Sequence, residues 1–303
     1  MKDSCLISVI IVNHNAGDYL TECVVSIFDA CHSANVIVVD NASTDESLSQ
    51  LESCFQNEPR LEILRNQQNL GFAVACNMGT RLAEGAYLLY LNPDCLIDEN
   101  TLPRLLASLR ENPDAGMVGG LLLNPDGTEQ IGGRRAIPTL WRTLVRAFNL
   151  VGLEKRYPRL FSDFNLHRQP LPDKPIEVEA ISGACMLVRR DALDDVGGFD
   201  EGYFLHCEDL DWCMRCRKNG WKILFVADAR VVHYQGVCSR SRPLFPEWHK
   251  HKGMMRFYRK HFRHQYPGIL MWLVGTGVWL RFAMLTVYYT GRRIPQWIRR
   301  SHG

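Results

Sequence analysis

Short apolar runs alternate with segments of helical period through the first half of the chain. Runs at 6–12, 36–39, 61–64 and 86–91 have the length and continuity of strands buried on both faces. Between the first two, Leu20, Cys23, Val24, Ile27 and Phe28 recur at helical spacing. Thr44 or Asp45 can cap a second helix carrying Leu48, Leu51 and Phe55. Each unit implies a strand-helix-strand crossover between parallel neighbours. The pattern predicts an α/β domain with a mostly parallel central sheet flanked by helices.

Further strands are expected at 117–123 and 177–188, the second in a more mixed section of sheet. Residues 134–175 between them hold Pro138, Pro158, Pro170, Pro172 and Pro175 with little sustained period, and read as a long excursion. A helix is expected at 208–218, then short strands at 221–226 and 229–233. Beyond 235 the character changes. Residues 249–264 are rich in His, Lys and Arg, and 266–290 are apolar apart from Arg281, with Trp272, Trp279, Tyr288 and Tyr289 spread along them. Arg292, Arg293, Arg299 and Arg300 close the chain.

Composition narrows the class. With 303 residues, 46% hydrophobic and 22% charged, the chain can bury one large core plus a small appendage, and is neither disordered nor fibrous. A net charge of +2 gives no reason to expect a nucleic acid partner. The 11 cysteines are odd in number and scattered through expected strands and helices. No secretory segment precedes the first apolar run, so a reducing, cytoplasmic setting is expected. Cys213 and Cys216 have the spacing of a metal or redox pair, but no second pair follows, and they are expected to be structural.

Ligands of open parallel sheets bind outside the carboxyl ends of the strands. Three polar ends stand out: Asn13, His14 and Asn15; Asp40 and Asn41; Asn92, Pro93 and Asp94. Each alone suits a turn. Together they suit a nucleoside diphosphate, with Asp40 for the base or ribose and Asp94 for a divalent cation bridging phosphate oxygens. Asn69, Gly71 and the small residues after them open a helix and permit close backbone approach. The densest signal is Gly198, Phe199, Asp200, Glu201, Tyr203 and Phe204, followed by Glu208, Asp209 and Asp211. Acids at a helix start are favoured by the macrodipole alone. Their aromatic setting suggests instead a walled pocket in which one carboxylate is a general base. His233, ending a strand, can add a neutral imidazole to the metal.

These stretches resemble, in order over residues 6–235, the inverting glycosyltransferases of family 2 with the GT-A fold, in particular their rhamnosyltransferase-like group. The resemblance rests on Ser8 to Asn13, Val38 to Asp45, Asn69 to Ala73, Leu91 to Asp94, Ser182 to Ala184, Gly198 to Glu201 and Glu208 to Asp211. It implies a catalytic domain at 1–235, with a nucleotide-binding half at 1–125 and an acceptor-binding and catalytic half at 134–235. The helical region at 236–303 lies beyond the resemblance; its basic flanks and aromatic-rich apolar stretch read as membrane-associating, with 266–290 lying in the interface, spanning the bilayer or packing on the catalytic domain. It implies Asp209 as the base with Glu208 beside it, and Asp94 and His233 as ligands of Mg2+ or Mn2+. Asn13, Asp40, Asn69, Gly71, Asn92 and Gly183 would surround the nucleotide sugar. Asn92 stands where the family's commonest pattern has an acid. The implied donor is dTDP-rhamnose or a UDP-sugar, and the implied acceptor a polyprenyl-linked saccharide at the inner face of the cell membrane. The competing classes are a nicotinamide oxidoreductase, disfavoured because the first strand feeds Asn13-His14-Asn15-Ala16-Gly17 and no Gly-x-Gly-x-x-Gly turn, and a catalytically silent, membrane-associated nucleotide-sugar-binding protein.

Overall fold

The computed structural model describes residues 7–147, 150–154, 156–161, 163–236 and 244–300. Leu6, expected to start the first strand, and the side chains of Arg292, Arg293, Arg299 and Arg300 lie outside the described residues.

β1 (Ile7–Asn13), α1 (Tyr19–Ala30), β2 (Asn35–Asp40), α2 (Ser47–Cys54), β3 (Leu61–Arg65), α3 (Phe72–Leu82) and β4 (Tyr87–Leu91) form the alternating half. β3, β2, β1 and β4 lie side by side and parallel. Their apolar runs are continuous because both faces are covered. Ile10 and Val12, with Ile37 and Val39, face a core shared with α3, whereas Val9, Ile11, Val36 and Val38 face a second core with α1 and α2.

The later half is more irregular. β5 (Cys95–Ile97), α4 (Thr101–Glu111) and β6 (Ala115–Leu123) come first. Next are β7 (Arg134–Arg135), α5 (Leu140–Ala147), a short 3-10 turn at Leu150–Leu153 and α6 (Pro158–Phe161). The expected strand at 177–188 is three pieces: β8 (Ile176–Glu177), β9 (Ala180–Ile181) and β10 (Cys185–Arg189). β9 leaves the main sheet to pair with β7. α7 (Arg190–Val196) and α8 (Glu208–Lys218) follow, and the two expected strands at 221–226 and 229–233 are one bulged strand, β11 (Lys222–His233). The nine-stranded sheet runs β3-β2-β1-β4-β10-β6-β11-β5, with β8 beside β11.

β10 is antiparallel to both β4 and β6. Its beginning therefore lies at the edge where β1, β2 and β4 end. The 183–185 turn joins residues 13, 40 and 92 there.

α9 (Leu244–Phe262) and α10 (Gly268–Arg300) complete the described chain. α9 begins beyond the expected boundary at 235 yet belongs to the main core, through Met255, Phe257, Tyr258 and Phe262. Its second anchor is electrostatic. Asp211 on α8, fully buried, accepts from His261 Nε2 at 2.8 Å and Arg215 Nε at 2.9 Å, and pairs with Lys260. Burial pushes this carboxyl up, but the bonds from His261, Lys260 and Arg215 outweigh it and hold the group well below the usual range. Cys213 and Cys216 are fully buried in the same helix as free thiols packed in the core.

Replacing Asp211 strands buried cations. Asp211→Asn should lower the unfolding free energy by about 3 kcal/mol near neutral pH, read as a shift in urea midpoint at unchanged m. Because the folded carboxyl titrates below its unfolded value, its stabilisation is present above about pH 4 and fades as pH falls further. The gap between variant and wild type should therefore narrow in acid.

Candidate active site

The parallel register sets Asn13 beside Asp40. Asn13 is fully buried, and its Nδ2 faces Asp40 Oδ1 at 2.8 Å, Ser47 Oγ at 2.9 Å and Ser43 Oγ at 3.0 Å. The amide nitrogen is committed to these oxygens and orients Asp40, whereas Asn13 Oδ1 is buried with no hydrogen-bond partner among the described residues. Asp40 Oδ2 also accepts from the Ser43 N–H at 3.2 Å.

Asn41 carries the constraint across to the next loop. It donates to Asn69 Oδ1 at 2.9 Å and accepts from Leu70 N–H at 3.0 Å and Asn66 Nδ2 at 3.1 Å. Asn69 Oδ1 also accepts from the Gly71 N–H. Asn69 thus shapes the loop. Gly71 has φ +88°, and a Cβ there would lie 2.7 Å from the Phe204 carbonyl oxygen, which accepts from Phe72 N–H. The nucleotide-side loop and the segment before α8 are therefore in direct backbone contact.

Past β4, the Asn92 N–H donates to the Ala184 carbonyl, and the side chain of Asp94 is buried. β11 runs antiparallel to β5 with His233 opposite Cys95, which brings His233 Nε2 to 3.2 Å from Asp94 Oδ1. On its other side, His233 Nδ1 is 2.6 Å from Gln130 Oε1. An amide oxygen can only accept, so Nδ1 carries a proton and the ring is held with Nε2 directed at Asp94. Asp94, Cys95 and His233 place possible ligand atoms within 4.8 Å of one another. Cys95 fits least. Burial pushes its thiol well above the usual range, and its Sγ lies 3.4 Å from the Ala184 carbonyl. A hard carboxylate and an imidazole of fixed tautomer fit a divalent cation that takes its remaining ligands from phosphate oxygens and water.

Asp209 stands at the start of α8. His206 and Cys207, just before it, are both left-handed, at φ +68° and +70°, and reverse the chain into the helix. Asp209 Oδ2 accepts from Arg135 Nη2 at 2.5 Å and from the Gly183 N–H at 3.1 Å, and Oδ1 from the Leu210 N–H at 2.7 Å. Burial raises this carboxyl, while the Arg135 charge and hydrogen bond, with the two N–H groups, hold it below its usual value. Neighbouring Glu208 differs sharply. It is 6% exposed, its Oε2 has no hydrogen-bond partner among the described residues, and burial plus the Asp209 charge push it up to about 8. Near neutral pH the pair is one carboxylate, Asp209, beside one largely neutral acid, Glu208.

Two residues that sequence reasoning did not single out complete the site. Gln130 lies in the turn after β6, and Arg135 is held by the β7–β9 ladder with its Nη2 also on the Ile181 carbonyl. Both lie where the sequence shows no period.

The glycosyl transferase family 2 model matches residues 8–197, and the glycosyl transferase family group 2 model matches 155–298. The chain belongs to glycosyl transferase family 2. It is 30% identical over 250 residues to the N-acetylglucosaminyl-diphospho-decaprenol L-rhamnosyltransferase of Mycobacterium tuberculosis, covering 78% of this chain and 79% of that protein. It is 25% identical over 252 residues to the rhamnosyltransferase WbbL of Escherichia coli K12, covering 78% and 86%. The mannosyltransferase PcManGT of Pyrobaculum calidifontis, solved with GDP-Man and Mn2+, superposes with a TM-score of 0.59 at 17% identity, over 88% of this chain and 66% of that one. GalNAc-T7, solved with UDP, GalNAc and Mn2+, gives 0.57 at 20% identity, over 77% and 44%. The family 2 chain thus has the GT-A fold that the ordered motifs implied.

The raised Glu208 has a thermodynamic signature. The folded state keeps a proton that the unfolded chain releases, so Glu208 costs stability as pH rises from about 4.5 toward 8. Glu208→Gln removes that term. Its stability relative to wild type should improve between pH 5.5 and 7.5 by on the order of 2 kcal/mol, from urea midpoints at the two pH values. Parallel profiles would show that Glu208 is ionised in the fold.

Proposed function

We propose that this transferase moves a sugar, L-rhamnose from dTDP-rhamnose being the best-supported donor, onto a hydroxyl of a polyprenyl-diphosphate-linked saccharide in bacterial cell-surface polysaccharide synthesis. The observation that carries the reading is the meeting of two groups at one sheet edge. The Asp94–His233 pair and Asp209 are joined through the Asn92–Ala184 and Gly183–Asp209 hydrogen bonds. The donor and acceptor assignments draw support from the names of the Mycobacterium and Escherichia coli relatives.

In this reading Asp40 contacts the nucleoside, with Asn13 fixing its rotamer. The loop around Asn69 and Gly71 brings backbone close to the nucleotide, and Asn92 and Gly183 flank the sugar. Asp94 and His233 hold Mg2+ or Mn2+, which when bound offsets the charge growing on the departing diphosphate. Asp209 is ionised and takes the acceptor proton as the hydroxyl oxygen attacks the anomeric carbon from the face opposite the leaving group, giving inversion. Glu208 keeps a second full negative charge away from the base.

Association with the inner membrane face belongs to the same proposal. α10 contains an apolar stretch, Gly268–Thr290, with mean hydropathy 1.6 and only 17% of its window buried. Val274 and Val278 pack inward, whereas Ile269, Leu273, Met284 and Val287 are exposed. Arg281 is exposed within the stretch and would be costly at a bilayer centre, which favours a helix lying in the interface.

Chelation should abolish nucleoside diphosphate release and added Mn2+ or Mg2+ should restore it. Gln130→Leu, which frees the His233 tautomer, should raise the metal concentration for half-maximal rate by about tenfold or more. Full activity in excess chelator would overturn the metal assignment. Asp209→Asn should retain donor binding, measured by calorimetry, while lowering kcat by about a hundredfold or more. A variant within a few-fold of wild type would remove Asp209 from the base role.

A further inference from the structure

Three of the basic residues of α9 share one face of the helix. Lys252, Arg256 and Arg259 fall on one face at intervals of four and three, and Arg263, in the turn after the helix, continues that row. Arg256 is bound to Asp200 at 2.8 Å. Arg259 and Arg263 have no ion pair or hydrogen bond among the described residues. Opposite them, α10 presents Trp272 and Trp279 two turns apart, with Gly275 and Thr276 between. A Cβ at Gly275 would lie 3.1 Å from Met255 Cε, so the glycine lets the two helices close into a floor. Arg259, Arg263, Met255, Trp272, Gly275 and Trp279 line a cavity of about 830 Å³, largely apolar and carrying two guanidinium groups at its wall that have no partner among the described residues.

A second cavity of about 630 Å³ shares Met255, Arg259 and Trp279 with the first. Its far wall includes Tyr203 and Phe204. Phe204 stacks on His249 at 4.4 Å and its carbonyl accepts from Phe72 N–H at the start of α3. The second cavity, which adjoins the α9–α10 groove, therefore abuts the segment that leads into Glu208 and Asp209.

A flat lipid surface needs only an exposed apolar face and diffuse charge. A trough with two arginines at one wall suits a molecule that joins a compact multivalent anion to a thin apolar chain, because guanidinium groups bind phosphate oxygens in pairs. Its volume lies within the usual range for small-molecule sites. The geometry points to the α9–α10 groove as the binding site for the isoprenoid diphosphate portion of the acceptor. Arg259 and Arg263 hold the diphosphate, Trp272 and Trp279 hold the first isoprene units, and the saccharide extends through the second cavity toward Asp209. This rests on the proposed lipid-linked acceptor.

The test uses the full chain in nonionic detergent micelles with dansyl-labelled geranylgeranyl diphosphate, followed by energy transfer from tryptophan. Unlabelled geranylgeranyl diphosphate should displace the probe about tenfold more effectively than geranylgeraniol, pyrophosphate or phosphatidylglycerol, each of which lacks one part of the match. Arg259→Glu with Arg263→Glu should weaken the probe by about tenfold or more, with binding of the nucleoside diphosphate unchanged. The same variant should raise KM for a diphosphate-lipid acceptor at unchanged kcat, and leave a short alkyl glycoside acceptor unaffected. Equal displacement by phosphatidylglycerol would mark a plain membrane-contact surface, and wild-type affinity in the double variant would remove the arginines from the site. Either result overturns the groove. If the probe behaves as expected but wild type transfers no sugar to any saccharide acceptor, the groove stands and the transferase reading falls.

Discussion

A carboxylate with no solvent exposure can stay ionised only if cations and donors surround it, and Asp211 meets that condition by drawing on two helices. Arg215 comes from its own helix one turn away, while Lys260 and His261 come from α9. Each partner brings other contacts with it. Arg215 also donates to the carbonyls of Val196 and Gly198, and Lys260 also binds Asp200, which in turn holds Arg256. One buried charge thus fixes the turn before α8, the helix itself and the basic face of α9 relative to one another. The start of α8, where Asp209 sits, and the α9–α10 groove are two ends of that one rigid arrangement.

The legible parts of the fold were those where one physical signal governs. The parallel strands are buried on both faces and so read as unbroken apolar runs, and the polar residues that end them fall at one edge. The acids at the start of α8 are legible as a dense cluster beside aromatics at a helix start. The failures lie where tertiary pairing decides. Residues 177–188 look like one strand, but the chain changes partner twice there, to form the β7–β9 ladder and then to enter the sheet as β10. Nothing in side-chain period encodes which partner is chosen. α4 was missed although Leu102, Leu105, Leu106 and Leu109 have helical spacing, so that signal was present. Arg135 and Gln130 carried none. Both sit in a proline-containing excursion or a turn, and only the folded β7–β9 ladder and the β6–β11 pair bring them to Asp209 and His233.

Two of the asparagines expected around the nucleotide have side chains hydrogen-bonded within the protein. Asn13 and Asn69 direct their amides into the protein, toward Asp40 and the Asn41–Gly71 network. Asn suits both roles, since its side chain supplies donors and an acceptor, and sequence position alone does not say which way the amide turns. Asp40 is thereby held by neutral groups, and no cation pairs with it among the described residues.

The opposite treatment is given to Asp209, and under the proposed base role it bears on how a carboxylate with a lowered proton affinity can accept a proton. Before reaction the group must be ionised, and Arg135 together with the Gly183 and Leu210 N–H groups secures that state in a buried setting. At the transition state it must accept a proton, which these same contacts oppose. The conflict is resolved if an incoming acceptor hydroxyl takes the place of Arg135 Nη2 on Oδ2. Losing one charge-assisted bond in a site already shielded from water raises the proton affinity at the moment the hydroxyl is in reach. The other contact of Nη2, with the Ile181 carbonyl, gives the displaced guanidinium a place to remain, so the switch needs a small side-chain shift and no unfolding of the β7–β9 ladder. Glu208 is less suited to the same sequence of states, because burial and the Asp209 charge favour its protonated form near neutral pH, and a neutral carboxyl is a far weaker base than a carboxylate.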